Sequence, residues 1–231
     1  MSYRLHYAPD NASLITRLAL EELEVPYDTL LVDRSLKAHR SADYRQLNPA
    51  GRIPTLETPD GPISETGAIL IWLADRHGGL LPALYDPLRG AALNWLLFVA
   101  NTLHPEMIQT FYIHRYGPKA AWDEMRLALH GRIHGHLEML ETQAIDRCGP
   151  WFCGPAPSAI DLYLAGVVRW LGLYGFGDRV WVDHDALPRI MDMCARLETR
   201  ASCKALILAE GMSDHPFTAP ERPNPPEGTP F

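Results

Sequence analysis

Cysteine is scarce and one-sided, with four in 231 residues, all at or beyond position 148. So few in a chain this long make no disulfide framework, and a reducing cytoplasm is the expected compartment. Long apolar runs are also missing. No stretch approaches the ~20 consecutive apolar residues of a membrane span. The opening Met1-Ser2-Tyr3-Arg4-Leu5-His6-Tyr7 has neither the basic start nor the apolar run of a secretory leader, so a soluble chain is expected. Positive charge is in deficit: the formal net charge is -7, the isoelectric point is near 5.8, and no Lys/Arg cluster occurs. Nucleic acid and anionic membrane are thereby excluded as the main partner. Neither a phosphate-binding Gly-rich loop nor a Gly-x-Ser-x-Gly elbow appears. What the chain does have is core material, at 47% hydrophobic and 21% charged, with six Trp, nine Tyr and six Phe. It reads as a folded protein of one large domain or two small ones.

The first 80 residues alternate strand and helix signals. Tyr3 to Tyr7 predicts a strand, and Pro9-Asp10-Asn11 a turn. Ser13 reads as the N-cap of a helix to about Glu24, with Arg17, Glu21 and Glu24 on one face and Leu14, Ile15, Leu18 and Leu23 inward. Tyr27 to Val32, Ile53 to Glu57 and Pro62 to Ser64 predict three more strands, the last two joined by an Asp60-Gly61 hairpin. A helix from about Thr66 to Arg76 ends at Gly78-Gly79. The order βαβ then ββα implies a four-stranded mixed sheet with helices packed on it. Beyond Gly78 to Pro87, a linker, residues 93–99, 119–145, 158–174 and 188–209 all read as helices. The expected division is an α/β unit over 1–80, an all-α unit over 88–212 and a tail over 213–231. Six prolines in the last seventeen residues mark that tail as extended over the surface.

Two segments carry more than fold. Arg52-Ile53-Pro54-Thr55-Leu56 is followed, after the hairpin, by Ile63-Ser64-Glu65-Thr66-Gly67-Ala68-Ile69. This pairing resembles the thioredoxin-like half of the glutathione transferases. There a cis-proline leaves the preceding backbone to pair with the glutathione peptide, and an acidic-plus-hydroxyl pair at the next helix holds the γ-glutamyl end. A helix N-terminus offers free N–H groups to a carboxylate, and Glu65 can meet an ammonium. The helical half agrees. Ser158-Ala159-Ile160-Asp161 is a capping box like the one that opens the central helix of the transferase helical domain, and Leu187 through Leu206 resembles that domain's end. The resemblance spans roughly residues 3 to 210. It implies a thioredoxin-like α/β N-terminal domain, an all-α C-terminal domain and glutathione as co-substrate, with Arg52, Ile53, Pro54, Glu65 and Thr66 binding it.

The start, Tyr7-Ala8-Pro9-Asp10-Asn11-Ala12-Ser13-Leu14, resembles the bacterial beta-type pattern, except that Ala12 stands in the cysteine's place. With no Cys in the α/β half, a protein thiolate pairing with glutathione there is excluded. Three residues remain for the thiol: Ser13, as in serine-type members; Asn11, as in a disulfide-reductase branch; and Tyr7, as in tyrosine-type members. Asn101-Thr102-Leu103-His104 resembles a beta-type segment whose His reaches the site, although Pro105 replaces the family's Lys. Tyr112, Tyr116 and Trp170 are further lining candidates. His130, His134 and His136 on one helix read as a solvated face, and Cys148 and Cys153 fit no redox or zinc motif, so no metal is expected.

The resemblance thus implies a cytoplasmic, homodimeric enzyme adding the glutathione thiolate to small hydrophobic electrophiles. A glutathione-dependent disulfide or peroxide reductase and a non-catalytic glutathione-binding or structural protein are the alternatives.

Overall fold

The computed structural model describes residues 3–143, 149–176 and 179–230; the side chain of Gln143 is not described, and Cys148 lies outside these residues. Strand β1 (Tyr3–Tyr7) runs up the middle of a sheet of order β2-β1-β3-β4. It pairs parallel with β2 (Tyr27–Leu31) and antiparallel with β3 (Thr55–Thr58), which turns back into β4 (Gly61–Ser64). Leu5, level with Thr29 and Leu56, is fully buried at the centre. The hairpin closes through Thr58, whose hydroxyl donates to the Gly61 carbonyl at 2.7 Å and accepts from the Asp60 amide at 3.1 Å.

Helices α1 (Ser13–Glu22) and α3 (Thr66–His77) pack against each other and the sheet, while a short α2 (Ala42–Leu47) bridges β2 and β3. Of the expected charged face of α1, Glu24 is exposed and Glu21 half-buried, but Arg17 is buried. Residues 13–20 are all buried, Arg17 included, because the helix also packs on α7 (Ala159–Tyr174) and α9 (Ala201–Glu210). Ser13 is the first residue of the helix rather than its cap: Ala12 precedes it, with no side-chain cap bond. The third strand starts at Thr55, two residues later than expected, and Ile53 and Pro54 form a cis peptide before it.

The linker is pinned rather than loose: Leu80 pairs with Ser158, and Arg89 donates to the Pro82 carbonyl at 2.7 Å and to Asp75 at 2.6 Å. Helix α4 (Arg89–Phe98) passes through a π turn (Val99–Leu103) into α5 (His104–Phe111), followed by α6 (Trp122–Gln143). The stretch expected as one helix over 188–209 is two, α8 (Pro188–Glu198) and α9, broken at Thr199-Arg200.

Helix α7 is the axis of the helical half, buried from Ala159 to Leu171. Ser158 and Asp161 form the reciprocal capping box, and Asp161 also accepts from the Phe152 amide at 3.2 Å. Where α1 crosses, Gly166 admits Ile15: a Cβ there would sit 3.1 Å from Ile15 Cγ1. One apolar core therefore runs from the sheet through α1 into the bundle. His130 and His134 do not form a solvated face; each Nε2 lies 2.9 Å from the Val180 carbonyl, and His136 pairs with Glu106. Among the described residues no helix is long and apolar enough to cross a membrane, and no group of three or more His, Cys, Asp or Glu could hold a metal.

Candidate active site

The β1–α1 loop is anchored from both α7 and α9. Asp10 sits at a positive φ of 51°, and its fully buried carboxylate takes Arg169 Nε at 2.8 Å and Nη2 at 3.0 Å. Trp170 Nε1 adds a bond of 3.0 Å and the Tyr174 hydroxyl one of 2.5 Å. The Asp10 amide donates to Glu210 at 2.7 Å, and Arg17 donates to the other oxygen of that carboxylate at 3.2 Å. Burial raises the Glu210 carboxyl to about 7 against the pull of Arg17. A single polar residue is thus fixed from α7 and α9 together, which sets the backbone of Asn11 beside it.

The three thiol candidates are placed very differently. Ser13 is fully buried; its hydroxyl donates to the Ala8 carbonyl at 3.0 Å and accepts from the Ala8 amide at 3.3 Å, so it closes the loop on itself. Asn11 is half-buried. Its Nδ2 donates to the Pro9 carbonyl at 2.8 Å and the Pro230 carbonyl at 3.3 Å, while its Oδ1 accepts from Arg34 Nη1 at 2.8 Å. Arg34 also reaches the Tyr112 hydroxyl at 3.3 Å. The Tyr7 hydroxyl donates to Glu227, and the Arg17 guanidinium lies 4.8 Å from its ring centre. Burial first, then the Glu227 carboxylate, raises the Tyr7 hydroxyl well above its usual range, so it stays a proton donor.

The second wall comes from the sheet's other edge. Tyr44 and Asn48, at the end of α2, hold the Arg52 carbonyl at 2.7 and 2.8 Å, which fixes the approach to the cis Ile53–Pro54 bond. At the start of α3, Glu65 is exposed at a φ of 67°, a conformation costly for a residue with a Cβ, and no side chain caps the helix. Thr66 is buried and hydrogen-bonds the Tyr163 hydroxyl. The same hydroxyl lies 2.9 Å from His104 Nδ1, and His104 stacks on Trp170 at 5.4 Å. Burial, and secondarily the Arg52 charge, lowers the His104 ring to about 4, so it is neutral near pH 7.

Thr66 and His104 are thus joined through Tyr163, with the Glu65 and Arg52 charges near them, while Tyr7 and Asn11 meet the C-terminal segment at Glu227 and Pro230. Of the lining candidates, Tyr112 reaches Arg34, Trp170 is tied into the Asp10 knot, and Tyr116 is half exposed on the surface. Sequence reasoning missed Arg34, Tyr163 and Glu227. Tyr163 follows the capping box by two residues in α7 and had that signal; Arg34 and Glu227 sit in irregular segments with none. A separate cavity of about 560 Å³ beside Trp181 and Pro220 contains none of these residues.

The model of the glutathione S-transferase N-terminal domain matches residues 1–75. Over 213 residues the chain is 26% identical to glutathione S-transferase GstA of Escherichia coli O157:H7, covering 90% of this chain and 99% of that one. A solved glutathione transferase homolog from Sulfitobacter, with bound glutathione, superimposes with a TM-score of 0.75 at 28% identity, over 89% of this chain and 96% of that one. Residues 1–75 thus match the glutathione S-transferase N-terminal domain, and most of the chain is similar to glutathione S-transferases in sequence and fold. The chain is also similar to the disulfide-bond oxidoreductase YfcG of Escherichia coli K12, 27% identical over 89% of this chain and 95% of that one. The fold is that of these transferases, a thioredoxin-like sheet domain followed by a helical domain.

Proposed function

We propose that the protein binds glutathione in a cleft between the sheet and the helical bundle and adds its thiolate to small, apolar electrophiles. The observation that carries the reading is the uncapped start of α3, with Glu65 and buried Thr66 beside the cis Ile53–Pro54 bond. The free N–H groups and positive end of the helix suit the γ-glutamyl carboxylate, and Glu65 suits its ammonium. The peptide then runs past Ile53 and Pro54, and its sulfur meets the Asn11 amide and the Tyr7 hydroxyl. Both are donors, and a hydrogen bond to the charged form lowers a thiol's pKa. Ser13, committed to Ala8, serves the loop's shape.

A second reading, glutathione-dependent reduction of disulfides or peroxides, is favoured by the likeness to YfcG and by Asn11 in the thiol loop. A non-catalytic glutathione-binding protein is the third. Titration calorimetry with millimolar glutathione, then parallel assays on an aromatic halide and a model disulfide, separate them. Heat with halide turnover supports conjugation, heat with disulfide turnover the reductase, and heat alone the binding protein; no heat and no thermal shift defeats all three. The reading includes a cytoplasmic homodimer joined near α4, where Leu84, Tyr85, Leu88 and Leu97 stand exposed. A sedimentation mass near one subunit at micromolar concentration would contradict that dimer.

A further inference from the structure

The proline-rich segment after α9 does not trail over the surface. Glu198 grips its first part, accepting from the Phe217 and Thr218 amides at 2.9 and 2.8 Å, and Arg169 donates to the Pro216 and Glu221 carbonyls at 2.9 and 3.1 Å. The Asn224 amide then donates to the Gly211 carbonyl at 2.8 Å, and the chain turns into the proposed cleft. There Glu227 takes the Tyr7 hydroxyl, and Gly228, at a φ of 74°, lies so close to β2 that a Cβ would be 2.6 Å from Leu31 Cδ1 and 3.3 Å from Pro9 Cδ. The Pro230 carbonyl receives two donors at once, Arg34 Nη1 at 2.5 Å and Asn11 Nδ2 at 3.3 Å.

We propose that residues 224–230 are a displaceable plug, whose Pro230 carbonyl occupies the donor pair Asn11–Arg34 that receives the ligand's anionic sulfur once the plug leaves. The inference rests on the glutathione reading above. A guanidinium and an amide aimed at one point favour an anion over a neutral carbonyl, because two opposite charges at hydrogen-bond distance add a Coulomb attraction that a neutral acceptor lacks. No residue of the plug is fully buried: Asn224, Pro226, Glu227 and Gly228 are exposed, and Pro225, Thr229 and Pro230 are half-buried. Its base, gripped by Glu198 and Arg169, stays in place, so a displaced tip remains tethered beside the cleft. Arg34 then has a role in thiolate binding that its position in an irregular segment does not advertise. The plug also sets a threshold: only ligands that engage the donor pair open the site.

The test uses the full chain and glutamyl endopeptidase, which cleaves after Glu227. Glutathione should accelerate cleavage at Glu227–Gly228 by freeing the tip; cleavage unchanged or slowed at a glutathione concentration where calorimetry records binding overturns the proposal. Gly228→Val, which cannot seat against Leu31, should bind glutathione about threefold or more tighter, since the competent fraction rises. Equal affinity in a variant with native circular dichroism also overturns it. In the Gly228→Val background, Arg34→Gln should weaken binding roughly tenfold and raise the bound thiol's pKa, read from the thiolate's ultraviolet band; no change refutes the donor pair. Absence of binding by the wild type and by Gly228→Val alike defeats the glutathione reading itself.

Discussion

Asp10→Ala should be among the most damaging single changes in the protein, although Asp10 touches no substrate in the proposed reading. Among the described residues its carboxylate is the one carboxylate bonded to the fully buried Arg169 guanidinium, and it also accepts from Trp170 and Tyr174. Deleting it strands a buried cation, a loss of about 3–5 kcal/mol. In a chain this long each kcal/mol moves the midpoint by about 2–4 °C, so the melting temperature should fall by roughly 6–20 °C. Arg169→Met should cost less. It leaves Asp10 with two neutral donors, and a carboxylate can take up a proton where a guanidinium cannot lose one. The double variant should be more stable than the sum of the singles by about 1 kcal/mol or more, the signature of a coupled pair. Urea unfolding followed by tryptophan fluorescence reads all three, as midpoint shifts at constant slope. An Asp10→Ala loss below about 1 kcal/mol, or strictly additive singles, would refute the reasoning.

Ser13→Ala should cost about 1–3 kcal/mol through the stranded Ala8 groups while leaving the pH–rate profile of any glutathione-dependent turnover unshifted; a shift would return Ser13 to the thiol. Glu65→Ala should weaken glutathione by about 1.5–3 kcal/mol, tenfold or more by calorimetry, with turnover at saturation much less affected. The His104 imidazole should titrate near pH 4 by NMR. Its folded pKa lies below the unfolded one of about 6.5, so its contribution is complete above that value and is lost as pH falls toward 4. His104→Gln should therefore flatten the stability profile between pH 6.5 and 4. Asp161→Ala should destabilise more than Ser158→Ala, whose loss is that of a cap at about 1 kcal/mol, because it also strands the Phe152 amide.

The succession of strands and helices in the α/β unit, the hairpin at Asp60-Gly61 and the capping box of α7 were legible because each is written in adjacent residues. Short-range chemistry also marked Pro54, Glu65 and Thr66. The failures share a cause in distance. Arg17 looked solvated until Glu210, 193 residues away, came to meet it. Ser13 has the composition of a cap, yet its hydroxyl is turned back to Ala8 by the loop that Asp10 and Arg169 hold. The break between α8 and α9 carries neither Gly nor Pro, and α2 buries only Tyr44, too little to show a period. Proline content identified the tail as extended, but no pattern in it encodes that Glu227 meets Tyr7, 220 residues earlier.

The bond from the Asp10 amide to Glu210 also has a consequence for biosynthesis. The sheet and α1 leave the ribosome first, but the loop carrying Tyr7 and Asn11 lacks its anchor until a residue 200 positions later has been made. At about 5–20 residues per second that interval is roughly 10–40 s. Through it the emerging α/β unit exposes the face of α1 that α7 and α9 will cover, with Leu14, Ile15 and the Arg17 charge unsatisfied. What looks modular in the finished molecule is, for the nascent chain, one folding unit completed at its far end, and a chaperone that shields apolar helices would meet it in that window.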